Sequence, residues 1–171
     1  MDDDLKKAWS DWTDELDILE TLRLRRTYAS KPIIKSELYG FGDASDLCYA
    51  TSVYIKCYTI DGNTEVSLVA AKSQVVPLKH NLTIPKKELL AAEITARLIT
   101  FIQKELNMFC PTIGACFTDS KIVLCWIQGN GDKLKIFEFN RTKAIRQLVP
   151  GKLWHYCKTD ENPSDDHSRG I

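Results

Sequence analysis

Between residues 5 and 22 the apolar side chains Leu5, Trp9, Trp12, Leu16, Ile18, Leu19 and Leu22 recur at near-helical spacing, which predicts one amphipathic helix. Arg23, Arg25 and Arg26 follow, and Ser30-Lys31-Pro32 reads as a connector, so the chain is expected to divide into segments 1–32 and 33–171. Two runs rich in strand formers come next, 37–45 and 47–59. Asp61-Gly62-Asn63 is a hairpin signal joining the second to a third run, 64–76. A long helix is predicted over 83–106, with Pro85 tolerated in its first turn. A short buried strand is expected at 112–118, helices at 120–128 and 140–149, a last strand at 152–157, and a further helix from 163 onward. Three antiparallel strands followed by two strands separated by helices imply a mixed α/β (α+β) sheet with helices packed on its faces.

Composition agrees with that layout. The chain has 171 residues, 44% apolar and 27% charged, which fits one globular domain plus a short appendage and argues against disorder. No apolar run approaches the ~18 residues of a membrane span. Met1-Asp2-Asp3-Asp4 is acidic where a secretory signal would be basic and then apolar, so secretion is not expected. Lys plus Arg and Asp plus Glu number 23 each, but the stretch 38–157 holds fourteen bases against ten acids, a local excess of four positive charges. A solvated surface and a phosphate-binding face explain that excess equally well. Cysteines at 48, 57, 110, 116, 125 and 157 show no CxxC pair and are expected to be reduced and mostly buried, with no disulfide-linked partner.

Four acids stand where solubility does not account for them. Asp43 lies inside the first strand and shares a face with Tyr39 and Phe41 by two-residue alternation. Glu93, Arg97, Thr100 and Lys104 form one polar stripe on the long helix, and at ~100° per residue Glu88 falls roughly 150° from its centre, on the apolar side. A first-turn glutamate favouring the helix dipole is the competing explanation. Asp119 ends the buried strand where a helix begins, a position an N-cap also occupies, although Ser120 competes for that role. Asp165 follows Asn162-Pro163 in the expected last helix. Acids crowded together repel unless hard cations neutralise them, and oxygen-rich sites suit magnesium or manganese.

Gly42-Asp43-Ala44-Ser45, the helix start Thr83-Ile84-Pro85-Lys86-Lys87-Glu88-Leu89-Leu90-Ala91-Ala92, the turn Thr118-Asp119-Ser120 and the tail Glu161-Asn162-Pro163-Ser164-Asp165 resemble a retroelement ribonuclease H. Ala71-Lys72-Ser73 before Val76-Pro77-Leu78-Lys79, the Asn140-Arg141 pair, and Ser168-Arg169-Gly170 narrow the likeness to the BEL/Pao class of long-terminal-repeat retrotransposons. The resemblance runs from about residue 37 to the end, and segment 5–26 is similar to the connection that follows reverse transcriptase in those Pol polyproteins.

The resemblance implies a ribonuclease H-like fold, a five-stranded mixed sheet with three antiparallel strands then two parallel ones, flanked by helices. It implies that Asp43, Glu88, Asp119 and Asp165 are catalytic acids holding two Mg2+ ions, with Mn2+ tolerated, and that oxygens of Asp43, Glu88 and Asp119 lie close enough to share one ion. Asp166 and Glu93 are the nearest wrong choices. The implied activity is cutting the RNA strand of RNA–DNA hybrids during reverse transcription, beside reverse transcriptase and other Pol domains, in a cytoplasmic particle or the nucleus and not at a membrane. Ser45, Ser120, Lys121, Asn140, Arg141 and Lys143 are candidates for hybrid binding. His155 and His167 are candidates for product release, against the simpler reading of surface histidines. The tail departs from the family pattern at Trp154-His155-Tyr156-Cys157-Lys158 and Asp166-His167, which leaves a rival open: a catalytically decayed module with a structural or nucleic-acid-binding role.

Overall fold

The computed structural model describes residues 3–165 and Ser168, apart from 22, 24, 78–81 and 132. Five strands form one sheet in the order β3-β2-β1-β4-β5. β1 (Ile33–Ala44), β2 (Cys48–Thr59) and β3 (Thr64–Val75) are antiparallel neighbours. β4 (Thr112–Thr118) runs parallel to β1, and β5 (Trp154–Tyr156) parallel to β4. The turn between β2 and β3 closes as the sequence predicts: Gly62 takes φ +82°, and Asp61 Oδ1 accepts from Thr59 Oγ1 at 2.5 Å and Asn63 N at 3.3 Å.

The alternation in β1 sets which layer lies where. Leu38, Gly40 and Gly42 are buried against α2 (Ile84–Glu105), while Tyr39 and Phe41 turn to the other face. α2 presents Leu89, Ala91, Ala92, Thr95, Ala96, Ile99 and Ile102 to the sheet. Small residues at 91, 92, 95 and 96, opposite two glycines, let helix and strand approach closely. A Cβ added at Gly40 would lie 2.8 Å from Thr95 Cγ2, and one at Gly42 2.7 Å from Thr95 Oγ1. Ile127 of α3 (Lys121–Gln128), Ile145 of α4 (Ile136–Leu148) and the fully buried Trp154 complete the core. Arg146 of α4 closes the C-terminal end of α3, its Nε donating to Ile127 O and its Nη2 to Trp126 O, both at 2.7 Å.

Several element bounds differ from expectation. The first helix, α1 (Asp3–Glu15), gives way to a 3-10 turn at Leu16–Thr21, and neither piece buries a residue. Leu5, Trp9 and Trp12 remain 59%, 60% and 52% exposed, so this segment lacks the packing that sustains most protein helices. β1 begins at Ile33 rather than 37, because Ile33 pairs with Thr59 beyond a register shift. α4 begins at Ile136, four residues early, and β5 is only three residues long after a 3-10 turn at Gly151–Leu153. Among the described residues no helix is long and apolar enough to cross a membrane. None of the six cysteines is in a disulfide; Cys57, Cys116 and Cys157 are buried, and burial pushes the Cys116 thiol up to about 12 and the Cys157 thiol up to about 11.

Candidate active site

The site grows out of the parallel pairing of β1 with β4. Phe41 pairs with Phe117 and Gly42 with Thr118, so Asp43 and Asp119, the next residues, leave neighbouring strands side by side. The close crossing of α2 over Gly40 and Gly42 brings the first turn of that helix, with Glu88, to the same end of the sheet. The tail arrives from the other face. Asn162 Nδ2 donates to Gly42 O at 3.1 Å, and Ser164 Oγ donates to Phe41 O at 2.9 Å. Asp165 N donates to Asn162 O at 3.0 Å, so Asp165 rides on a turn anchored to β1.

Two of the acids have carboxyls shifted by their surroundings. The Asp43 carboxyl is pushed above the usual range, first by burial and then by the charges of Asp119 and Asp165, against opposing hydrogen bonds from Ser168 and the Ala44 main chain. Glu88 is raised likewise by burial, with Asp119 and Asp43 adding and a Ser120 hydrogen bond opposing. Thr159 Oγ1 donates to Asp119 Oδ2 at 2.8 Å, while Asp119 Oδ1 is buried with no hydrogen bond among the described residues.

One expectation is corrected. Among the described residues, no three His, Cys, Asp or Glu side chains are grouped tightly enough to cage a metal ion. Asp43, Glu88 and Asp119 feel one another's charge, yet each turns an oxygen toward a hydroxyl, of Ser168, Ser120 and Thr159 respectively. The donor set itself, all carboxylate oxygen with one buried oxygen unsatisfied, has the chemistry of a hard divalent cation site.

The remaining candidates separate cleanly. Glu93 is held by Arg97 at 2.7 Å and Arg141 at 3.5 Å, away from this pairing of acids, in keeping with its place on the polar stripe. Ser120, not Asp119, is the N-cap of α3, accepting from Val123 N at 3.3 Å. Ser45 Oγ donates to Ser168 O at 2.6 Å and accepts from Leu47 N and Cys48 N at 3.2 Å, inside the β1–β2 turn. Arg141 stacks on Phe137 with Cζ 3.7 Å from the ring centre, whereas Asn140, Lys143 and Lys121 are exposed, with Lys121 Nζ 5.1 Å from the Tyr156 ring. His155 is exposed with its ring 5.9 Å from that of Phe117. Asp166, His167, Arg169, Gly170, Leu78 and Lys79 lie outside the described residues. Sequence reasoning missed the hydroxyls of Thr159, Ser164 and Ser168; the last two stood inside the quoted tail motifs, but nothing local shows what a serine touches.

The family model described as Pao retrotransposon-like RNaseH-like domain matches residues 1–120, a span that contains Asp43, Glu88 and Asp119 and stops before the tail. Comparison with curated protein sequences found no match. Among solved structures, ribonuclease H1 from the halophilic archaeon Halobacterium salinarum NRC-1 is similar at 16% identity, over 78% of this chain and 93% of that one, with a TM-score of 0.47. LC11-RNase H1 in complex with RNA/DNA hybrid is similar at 16% identity over the same shares, with a TM-score of 0.44. The prototype foamy virus protease-reverse transcriptase is similar at 17% identity over 87% of this chain and 21% of that one, with a TM-score of 0.40. With the family model covering well over half its length, and a sheet of the expected order, the chain belongs to the Pao retrotransposon-like RNaseH-like domain family.

Proposed function

We propose that this ribonuclease H-like domain is a divalent-metal-dependent endoribonuclease that cuts the RNA strand of RNA–DNA hybrids during retrotransposon reverse transcription. The observation that carries the reading is the placement of the acids: β1, α2, the end of β4 and the tail, which is hydrogen-bonded to β1 at Phe41 and Gly42, each contribute one carboxylate. Burial first, then the charges of neighbouring acids, make Asp43 and Glu88 hold their protons more tightly. Such a site is at odds with itself until cations enter it. Asp43, Glu88, Asp119 and Asp165 would hold two Mg2+ ions, with Mn2+ as a substitute. Ions held by these residues would supply Lewis acidity for activating a water and for stabilising the leaving oxygen of a phosphodiester.

The chain's own groups prepare that site. Ser168, Ser120 and Thr159 hydroxyls orient the carboxylates, and burial beneath the tail excludes bulk water from Asp43, which is 5% exposed. Lys121, Asn140 and Lys143 are the exposed polar groups left to meet hybrid phosphates. Arg141, Ser45 and Ser120 serve first as internal partners. The exposed Trp9–Trp12 stripe suits a connection packed on neighbouring Pol domains such as reverse transcriptase, within a cytoplasmic or nuclear particle.

The test is cleavage of a labelled RNA–DNA hybrid by the purified chain with Mg2+ across a salt series, with Asp43→Asn as control. Magnesium-dependent cutting of the RNA strand, stronger at low salt and absent in the variant, is expected. Clear hybrid binding without cleavage at any salt or with either metal overturns the reading in favour of a decayed module.

A further inference from the structure

Ser168 is 1% exposed, and its three polar atoms are all engaged. Its hydroxyl donates to Asp43 Oδ2 and contacts Asp165 O at 3.0 Å. Its main-chain N–H donates to Ser164 O at 3.1 Å. Its carbonyl receives Ser45 Oγ and Cys48 Sγ, each at 2.6 Å. Further back along the tail, Ser164 and Asn162 bind the carbonyls of Phe41 and Gly42. The residues that the tail grips on β1, at 41, 42 and 43, are therefore consecutive, and the last grip is on the acid itself.

We infer that Ser168 is a positioning residue of the acidic site: its hydroxyl sets the rotamer of the Asp43 carboxylate, and its main chain locks the turn that carries Asp165 against the β1–β2 turn. The inference rests on the metal-binding reading above and gives the tail a role in it. A hydroxyl bonded to one carboxylate oxygen fixes the direction in which the carboxylate faces and holds the side chain still as a cation approaches. Outer partners of this kind typically change metal affinity by about 10–100-fold when removed. Ser45 then acts one step further out, by holding the Ser168 carbonyl.

The experiment uses the full chain without hybrid. Mg2+ binding is measured by titration calorimetry, Mn2+ binding by electron paramagnetic resonance, and Tm with and without Mg2+, for wild type, Ser168→Ala, Ser168→Thr and Ser45→Ala. Ser168→Ala should weaken Mg2+ binding by about tenfold or more and shrink the Mg2+-induced rise in Tm. Ser168→Thr, which keeps the hydroxyl, should restore most of both, and Ser45→Ala should show a smaller loss in the same direction. A purely structural serine would lower Tm equally with and without metal and leave the affinity unchanged, which overturns the inference while the metal reading stands. If Ser168→Ala fails to fold, Ser45→Ala decides, and unchanged affinity there overturns the inference. A wild-type chain that binds neither Mg2+ nor Mn2+ brings down the metal reading itself, and this inference with it.

Discussion

The hydroxyl of Ser164 lies 2.7 Å from that of Ser52, joining the tail to β2 across 112 positions. Ser164 also donates to Phe41 O at 2.9 Å, and a hydroxyl has one proton, so Ser52 is the donor between the two serines. The two sites should respond unequally. Ser164→Val strands the Ser52 hydroxyl and should cost about 1–3 kcal/mol, whereas Ser52→Ala leaves Ser164 still donating and should cost about 0.5–1.5 kcal/mol. Urea denaturation of both variants checks the order.

Gly42 should tolerate no side chain. A Cβ there would lie 2.7 Å from Thr95 Oγ1 and 3.3 Å from the main chain of Ala91, and main chain cannot swing aside. Gly42→Ala should therefore cost about 1–3 kcal/mol as α2 is pushed off β1. Because the same crossing brings Glu88 to the end of β1, hybrid cleavage should fall further than the loss of folded protein explains. Activity per folded molecule, with folding followed by circular dichroism, is the measurement.

Glu88 and Glu93 lie on the same helix and should behave oppositely. Glu88→Gln should abolish metal-dependent cleavage. Glu93→Gln releases Arg97 and Arg141, an arrangement open to solvent at Arg97, and should change stability by no more than about 1 kcal/mol while most cleavage survives. Turnover of the two variants at saturating Mg2+ separates them.

Without metal, Asp43→Asn should be more stable than wild type at neutral pH. A carboxyl raised on folding contributes stability fully present below its unfolded value, about 3.9 for aspartate, and lost as pH rises through the folded one. Wild type therefore weakens relative to the variant on climbing out of the ordinary carboxylate range, and the gap closes below it. Denaturation midpoints between about pH 3 and 8 in chelator give this difference. Added Mg2+ should reverse it, by stabilising only the chain that keeps the carboxylate.

Glu37 should show the opposite slope. Hydrogen bonds from Lys35, Tyr58 and Tyr39 hold its carboxyl down at about 2. Its stabilisation is present above the ordinary glutamate value and lost as pH falls toward that figure. Glu37→Gln should remove this part of the acid limb, seen as a flatter dependence of the midpoint on pH below about 4.5.

The sequence by itself determined the order of the five strands and the helices between them, the Asp61–Asn63 hairpin, and the long helix with Glu88 turned from its polar stripe. These follow from two-residue and 3.6-residue periodicity and from turn chemistry, which act over a few neighbouring positions. It did not determine that β1 starts at Ile33 or α4 at Ile136, since a strand or helix extends as far as its partners allow. Only the tertiary structure decided the acids' surroundings. The Asp43–Ser168, Asp119–Thr159 and Ser52–Ser164 contacts span 125, 40 and 112 positions, and no local pattern encodes which hydroxyl a carboxylate will meet. Nor does residue type reveal that like-charged acids turn toward those hydroxyls, because that balance depends on burial and mutual distance, which exist only once the sheet, α2 and the tail have come together.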